Sequence, residues 1–326
     1  MDWSQIPGPV RACCAALERA GHAAYPVGGC VRDTLLGRVP GDWDVTTSAP
    51  PEATLALFDR TVPTGLKHGT VTVLLGGMAL EVTTFRREGG YADGRHPDAV
   101  TFDATLEEDL SRRDFTVNAM ALAPGGAIVD PFGGRADLER RLIRCVGDPD
   151  RRFQEDGLRL LRAVRFAAQL GFDLEPDTAA ALARNAHCLD RVSGERVKAE
   201  LEKILLSPRP EWAALPVELG MLARFGAGRG RPDFAGVPAT AADRWSALCA
   251  ATGLDITALP VERALRRAVL HPENRELAAL ALTGRDLYDL GYRGGDISAA
   301  RRRLLRHVQA HPEDNERDRL LAVLKA

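Results

Sequence analysis

YPVGGCVRDTLLGRVPGDWDVTT, residues 25–47, is the stretch on which the reading of this chain turns. A short apolar strand runs into the Gly28-Gly29 pair, a helix follows, and a second strand carries Asp42 and Asp44. Side chains on a strand alternate with period two, so both carboxylates project from one face, close enough to share divalent cations. That geometry suits metal-dependent phosphoryl transfer. The glycine pair ahead of a helix leaves backbone N–H groups free to approach a phosphate, and Arg32, about a turn later, adds a charged fork. Taken singly, each feature is ambiguous: Asp-x-Asp pairs are common on surface turns, and a Gly-Gly pair before a helix is usually only a turn.

The combination is more specific. GG-x-V-R-D, then LLGR, then D-W-D-V-T-T resembles the opening signature of the nucleotidyltransferase superfamily, in its branch of class II tRNA nucleotidyltransferases (CCA-adding enzymes) and bacterial poly(A) polymerases. The resemblance implies an α+β nucleotidyltransferase-fold head, a mixed sheet with flanking helices, followed by all-α neck, body and tail. It also implies Mg²⁺ at Asp42 and Asp44.

Composition is compatible with this. The 326 residues allow two or three domains; 45% are hydrophobic and 27% charged, as in an ordinary soluble protein. No apolar run approaches the roughly 20 residues of a membrane span, and the N-terminus lacks the basic and apolar regions of a signal peptide, so no membrane partner and a cytoplasmic location are expected. The six cysteines form no C-x-x-C pair and suggest neither zinc nor a disulfide framework. The net charge of −2 does not by itself indicate nucleic acid, but it is unevenly spread: residues 1–150 carry 15 basic against 21 acidic side chains, and residues 151–326 carry 28 against 24. An acidic front and a mildly basic rear suit a metal-binding head on a body that touches RNA phosphates.

Along the chain, residues 9–20 read as an amphipathic helix and residues 51–58 as a shorter one, each with Pro near its start. Strands at about 70–75 and 79–85 flank the Gly76-Gly77 turn as a hairpin. Its second strand carries Glu81, which becomes a third catalytic carboxylate if it lies beside the Asp42/Asp44 strand and is otherwise a solvated residue. The aperiodic segment 86–98 reads as a solvated connection; it also resembles a loop that CCA-adding enzymes link to the change from adding C to adding A, through Arg86, Glu88, Tyr91, Asp93, Arg95, Pro97, Val100 and Phe102. Enzymes that add only CC resemble the rest of the family and lack this loop. DLSRRDFTVNAMA, residues 109–121, is either a charged helix end or the family's second motif, in which the positions of Arg113 and Asn118 hold the phosphates and sugar of the nucleotide. DPFGGRADL, residues 130–138, resembles the third motif, with Gly133-Gly134 as a hinge, and is equally compatible with an ordinary turn.

RRFQEDGLRLLRAVRF begins a long helical region in which Asp156 and Arg159 are neighbours at i, i+3, a surface ion pair on the plain reading. A sharper chemical reading exists. Cytosine and adenine each present an amine donor beside a ring-nitrogen acceptor, whereas uracil and guanine present a carbonyl beside an N–H. A carboxylate paired with a guanidinium complements the first set and rejects the second. E-D-x-x-R resembles the class II template motif, in which those two positions read the incoming base, and Arg162 and Arg165 match nucleotide-binding positions. VSGERVKAELEKILLS, residues 192–207, resembles the fifth motif, with Ser193 as N-cap and Arg196 bracing the template helix. Near the end, Gly294-Gly295-Asp296 precede a helix with Arg301, Arg302, Arg303 and Arg306, either a solvated face or a contact to RNA phosphates. The histidines are dispersed, and no His-Asp pair points to the phosphohydrolase domain of some relatives.

Together these readings divide the chain into a catalytic head (residues 1–140), a base-recognising neck (141–207) and a tRNA-binding body and tail (208–326). The implied activity is template-independent addition of CCA to the tRNA acceptor end from CTP and ATP. Asp42, Asp44 and Glu81 would be catalytic, and Gly29, Arg32, Arg113, Asn118, Asp156, Arg159, Arg162 and Arg165 would bind the nucleotide. An A-adding enzyme shares every motif; a CC-adding enzyme and a poly(A) polymerase fit less well. Oligomeric state is not legible.

Overall fold

The computed structural model describes residues 1–89, 99–228 and 230–325. Tyr91, Asp93, Arg95 and Pro97 of the expected loop therefore lie outside the described residues. The head is built on a five-stranded sheet: β1 (Ala24–Pro26), β2 (Asp44–Thr47), β3 (Thr61–Gly65), β4 (Thr70–Leu75) and β5 (Met78–Thr84), in the order β1-β2-β5-β4-β3. β2 and β5 are parallel, with Asp44 opposite Glu81, and every other pairing is antiparallel. Glu81 thus does lie beside the strand that carries Asp44. The turn between β4 and β5 uses positive φ at both Gly76 (56°) and Gly77 (81°), the requirement of a two-residue hairpin whose twist matches its strands. β3 was not among the expected strands; its residues are mostly exposed and lack the apolar alternation that marks a strand in sequence.

One face of this sheet packs on α1 (Gly8–Arg19), which buries Val10, Cys13, Cys14 and Leu17 against Val45, Val71, Val73, Leu80 and Val82. α2 (Gly29–Leu35) follows β1, α3 (Pro51–Leu57) follows β2, and α4 (Leu106–Ser111) begins with a capping box in which Thr105 and Glu108 satisfy each other's backbone N–H. α5 (Gly134–Arg140) is capped by Asp130, which accepts from the N–H groups of Gly134 and Arg135 at 2.7 and 2.9 Å.

The helical rear starts with α6 (Pro149–Glu155) and α7 (Leu158–Leu170), then α8 (Pro176–Arg184) and α9 (Gly194–Leu205). A parallel pair of two-residue strands, Leu142–Ile143 with Asp173–Leu174, ties the end of the head to the end of α7. Ser193 occupies the N-cap position of α9 but makes no side-chain cap bond. A single buried cluster runs from Ile6 to Val269, and a second, smaller one from Leu280 to Leu320 forms under the helix Gly295–Ala310. Among the described residues no helix is long and apolar enough to cross a membrane.

The long helical region expected from residue 151 opens as two helices. It breaks at Asp156-Gly157, where Asp156 is extended (φ −145°, ψ 106°). The backbone is closely packed beside the break: a Cβ on Gly157 would stand 2.3 Å from the Cys188 carbonyl oxygen, so the chain can pass there only without a side chain. Gly157→Ala should therefore destabilise the protein by about 2 kcal/mol. Gly295→Ala, whose Cβ would meet nothing within 4 Å, should leave the denaturant midpoint nearly unchanged. Equal midpoints for the two variants would refute the packing argument.

Candidate active site

Asp42 and Asp44 stand at the start of β2. The strand proper begins at Asp44, and Asp42 belongs to the bend before it, a difference from the expected strand that holds both. The alternation nevertheless persists through the bend: Trp43 is buried, Asp42 is exposed and Asp44 half-buried. Both carboxylates line one cavity of about 510 Å³, between the head and the neck helices. Burial, followed by the charge of Asp42, pushes the Asp44 carboxyl up to about 6; Arg113 opposes this and Glu81 adds to it.

The glycine turn is a structural necessity. Gly28 has φ 80°, and a Cβ there would stand 3.0 Å from Arg113 Nη1. Its N–H donates to the Met120 carbonyl at 3.0 Å, so it is not free for a phosphate as the sequence suggested. Gly28 and Gly29 do line the cavity, with Arg32 beside them. Arg32 Nη1 donates to Asn118 Oδ1 at 2.6 Å while Nε and Nη2 donate to Asp33, so the fork and the amide are held together. Asn118 in turn donates to Asp114 Oδ1 at 3.2 Å.

Asp114 proves central, although sequence reasoning assigned it no role. It is 8% exposed and accepts from Asn118, from the Phe115 N–H and from Arg162 Nε at 2.7 Å. Burial would raise its carboxyl, but the Arg162 guanidinium, Arg159 and Asn118 together hold it down at about 2. Phe166 also went unnoticed. Its ring lies 4.0 Å from the Arg165 guanidinium carbon, 5.2 Å from that of Arg32 and 5.4 Å from that of Arg162, so one ring face and edge serve three cations. Arg165 stands 2.6 Å from Glu200 as an ion pair without hydrogen-bond angles.

Asp156 and Arg159 both line the cavity but do not pair with each other. The helix break that detaches Asp156 turns it to Arg196, which grips it with two parallel bonds of 3.2 and 2.8 Å. Arg159 instead donates to Glu155 Oε2 at 2.6 Å, to the Arg152 carbonyl at 3.1 Å and to the Arg112 carbonyl at 3.1 Å. The i, i+3 pair inferred from the sequence is therefore replaced by two separately braced groups. Arg196 does brace, as expected, and what it holds is the carboxylate itself. Arg196, 40 residues beyond Asp156, completes the set that the spacing of E-D-x-x-R could not reveal.

Behind the cavity, Asp109 is fully buried. Its oxygens accept from Arg112 Nε and Nη2 at 2.9 and 2.8 Å, from Arg113 Nη2 at 3.4 Å and from Thr46 Oγ1 on β2 at 3.1 Å. This carboxylate fixes two arginines of α4's end over the strand that carries Asp44. Among the described residues no group of three or more His, Cys, Asp or Glu side chains is arranged to hold a metal. Asp42 and Asp44 could supply two hard oxygen ligands, and Glu81 stands beside Asp44 on the neighbouring strand. An ion such as Mg²⁺ keeps several waters and is bound by one or two carboxylates plus phosphates, so this donor pair fits it.

The family model described as the poly A polymerase head domain matches residues 24–144, and that described as the probable RNA and SrmB-binding site of polymerase A matches residues 171–225. The CCA-adding enzyme of Geobacillus thermodenitrificans is 50% identical over 247 residues, which are 73% of this chain and 61% of that protein; the chain spans about three fifths of the length of this curated relative. The crystal structure of the Bacillus stearothermophilus CCA-adding enzyme in complex with CTP superposes with a TM-score of 0.67 at 33% identity, over 98% of both chains. A Thermotoga maritima CCA-adding enzyme complexed with tRNA shares the fold, with a TM-score of 0.63 at 23% identity over 83% of this chain and 70% of that one.

The raised Asp44 carboxyl makes a prediction about stability. A carboxyl raised in the folded state favours folding below its ordinary 3.8, and that contribution is lost as pH rises through about 6. Without divalent cation, Asp44→Asn should therefore be more stable than the parent at pH 7.5, by at most about 3 kcal/mol. The two melting curves should converge below pH 4. A variant no more stable than the parent at pH 7.5 would show that Asp44 is not strained by its surroundings.

Proposed function

Because the chain belongs to the family of CCA-adding enzymes, whose head domain it shares with poly(A) polymerases, we propose that it adds CCA to tRNA 3′ ends from CTP and ATP without a nucleic-acid template. The observation that carries this reading is that one cavity gathers a carboxylate pair, a cluster of arginines and a separately held carboxylate and guanidinium at its far wall. Metal, triphosphate and base would each meet the group suited to it. The working parts are the head at residues 1–140, the neck at 141–207 and the body and tail at 208–326. The tail would contribute contacts to RNA phosphates from Arg301, Arg302, Arg303 and Arg306; Arg303 and Arg306 line a tail cavity of about 710 Å³. A cytoplasmic location goes with this reading, in keeping with six free cysteines.

The chemistry follows from the placement of this chain's own groups. Asp42 and Asp44 would hold Mg²⁺, which when bound neutralises phosphate charge and makes a hydroxyl easier to deprotonate. Arg32 and Arg113, with Gly29 beside them, cradle the triphosphate, and Asn118 and Arg162, locked by Asp114, position the nucleotide. Asp156 accepts from the exocyclic amine of C or A while Arg159 donates to the adjacent ring nitrogen. Each of these two is held from behind, Asp156 by Arg196 and Arg159 by Glu155, so neither turns to suit U or G.

Purified protein with Mg²⁺, CTP and ATP should extend a tRNA transcript lacking CCA by three nucleotides. Addition of A alone, and only to a transcript ending in CC, would make this an A-adding enzyme instead. No extension of any RNA would overturn the reading. Within an active protein, Arg159→Ala should lower C incorporation by about a hundredfold while U and G incorporation falls far less. Unchanged selection in competition assays with all four nucleotides would remove Asp156 and Arg159 from base recognition.

A further inference from the structure

Phe166 stands among the arginines of the proposed nucleotide cavity, yet its side chain has no hydrogen-bonding group to offer a nucleotide. Its place is set from two sides. On α7 it follows Arg162 by four residues, so the two share a helix face, and Arg165 directly precedes it. From the head, Phe115 meets it edge to face, with ring centroids 5.7 Å apart and planes at 77°. Phe115 is fully buried and Phe166 is 5% exposed, so packing holds the ring in one position. The guanidinium carbons of Arg165, Arg32 and Arg162 lie 4.0, 5.2 and 5.4 Å from its centroid. Their other ties are unequal. Arg32 donates to Asp33 and Asn118, and Arg162 to Asp114. Arg165, the nearest to the ring, is the least supported: Glu200 stands 2.6 Å away without an aligned hydrogen bond and is shared with Lys203 at 3.5 Å, which leaves a 3.1 Å bond to Gln169. Burial draws the Arg165 guanidinium below its ordinary pKa, Glu200 opposes this and Arg162 adds to it.

We propose that Phe166 is a positioning residue for the triphosphate, its ring holding Arg165 and spacing it from Arg32 and Arg162 so that the three guanidiniums converge on phosphate oxygens. This rests on the nucleotidyl-transfer reading above. Two properties of an aromatic ring suit it to the task. Its electron-rich face attracts a cation without using any N–H donor, so the forks keep their donors for the ligand. It also carries no charge. Asp33, Asp114 and Glu200 already stand against these three arginines, and a fourth carboxylate in place of the ring would repel an anionic ligand. The ring further joins two parts of the molecule, since Arg32 comes from α2 of the head while Arg162 and Arg165 come from α7.

The test compares the parent with Phe166→Leu and with a protein carrying pentafluorophenylalanine at position 166, which nearly keeps the shape of the ring and reverses the charge of its face. The probes are inorganic tripolyphosphate, bound in the presence of Mg²⁺ and followed by calorimetry, and CTP and ATP in steady-state extension of tRNA transcripts ending before CCA and after CC. Both variants should bind tripolyphosphate about tenfold more weakly than the parent and raise KM for CTP and for ATP by a similar factor, while kcat and the rejection of UTP change far less. Tripolyphosphate binding in the pentafluorophenylalanine protein equal to the parent's would overturn the positioning role, whatever the stability of F166L, because packing alone does not distinguish the two rings. A change confined to one of the two nucleotides would overturn it as well, by assigning the ring to the base. A parent that extends no RNA would overturn the transfer reading, and the tripolyphosphate measurement would still judge the ring.

Discussion

Crowding of like charge is the constraint on which this molecule depends. Seven arginines, at positions 32, 112, 113, 159, 162, 165 and 196, line one cavity. Guanidiniums so close repel one another and lose hydration, and they can be assembled only if each is anchored by a carboxylate. Asp33, Asp109, Asp114, Asp156, Glu155 and Glu200 provide those anchors, and Phe166 provides a shared aromatic face. Anchoring also fixes geometry, because a guanidinium tied at two nitrogens presents the rest of its fork in one direction.

Two buried carboxylates divide the work. Asp109 links β2, through Thr46, to the arginines at the end of α4, so that the groups proposed for phosphate and for metal are parts of one unit. Asp114 links the following turn to the neck, through Arg162 on α7. The surface between head and neck is thereby stitched by charge-assisted bonds directly at the cavity. Gly134 adds a steric contribution: its Cβ would overlap the Thr116 carbonyl, 2.3 Å away, so α5 presses on the turn that presents Asn118. That close packing makes the Gly133-Gly134 turn a support for the site as well as a bend in the chain.

The break between α6 and α7 has the largest chemical consequence of any backbone feature. With the helix continuous, Asp156 and Arg159 would neutralise each other on its surface. With it broken, Asp156 reaches α9, Arg159 reaches back to α6, and both groups line the cavity. A pair satisfied by each other has little left for a base, whereas two groups braced from behind retain their forward edges.

Much of the site was legible from residues alone because its chemistry is local. Asp42 and Asp44 declare themselves by alternation, Gly28 by the turn before a helix, and the β4–β5 hairpin by its Gly-Gly pair; Arg113, Asn118, Asp156 and Arg159 stand at motif positions, and all four line the cavity. What could not be read was partnership. Asp156 and Arg196 are 40 residues apart, Asp114 and Arg162 are 48 apart, and Asp109 meets Thr46 across 63. No periodicity encodes such pairs, and the i, i+3 spacing that suggested an Asp156–Arg159 contact assumed a continuous helix, which the extended backbone of Asp156 interrupts. The sequence by itself determined which groups are present and the order in which short-range rules place them on strands, turns and helix starts. Only the tertiary structure decided which charge neutralises which, because Coulomb pairing and steric exclusion act through space and are blind to distance along the chain.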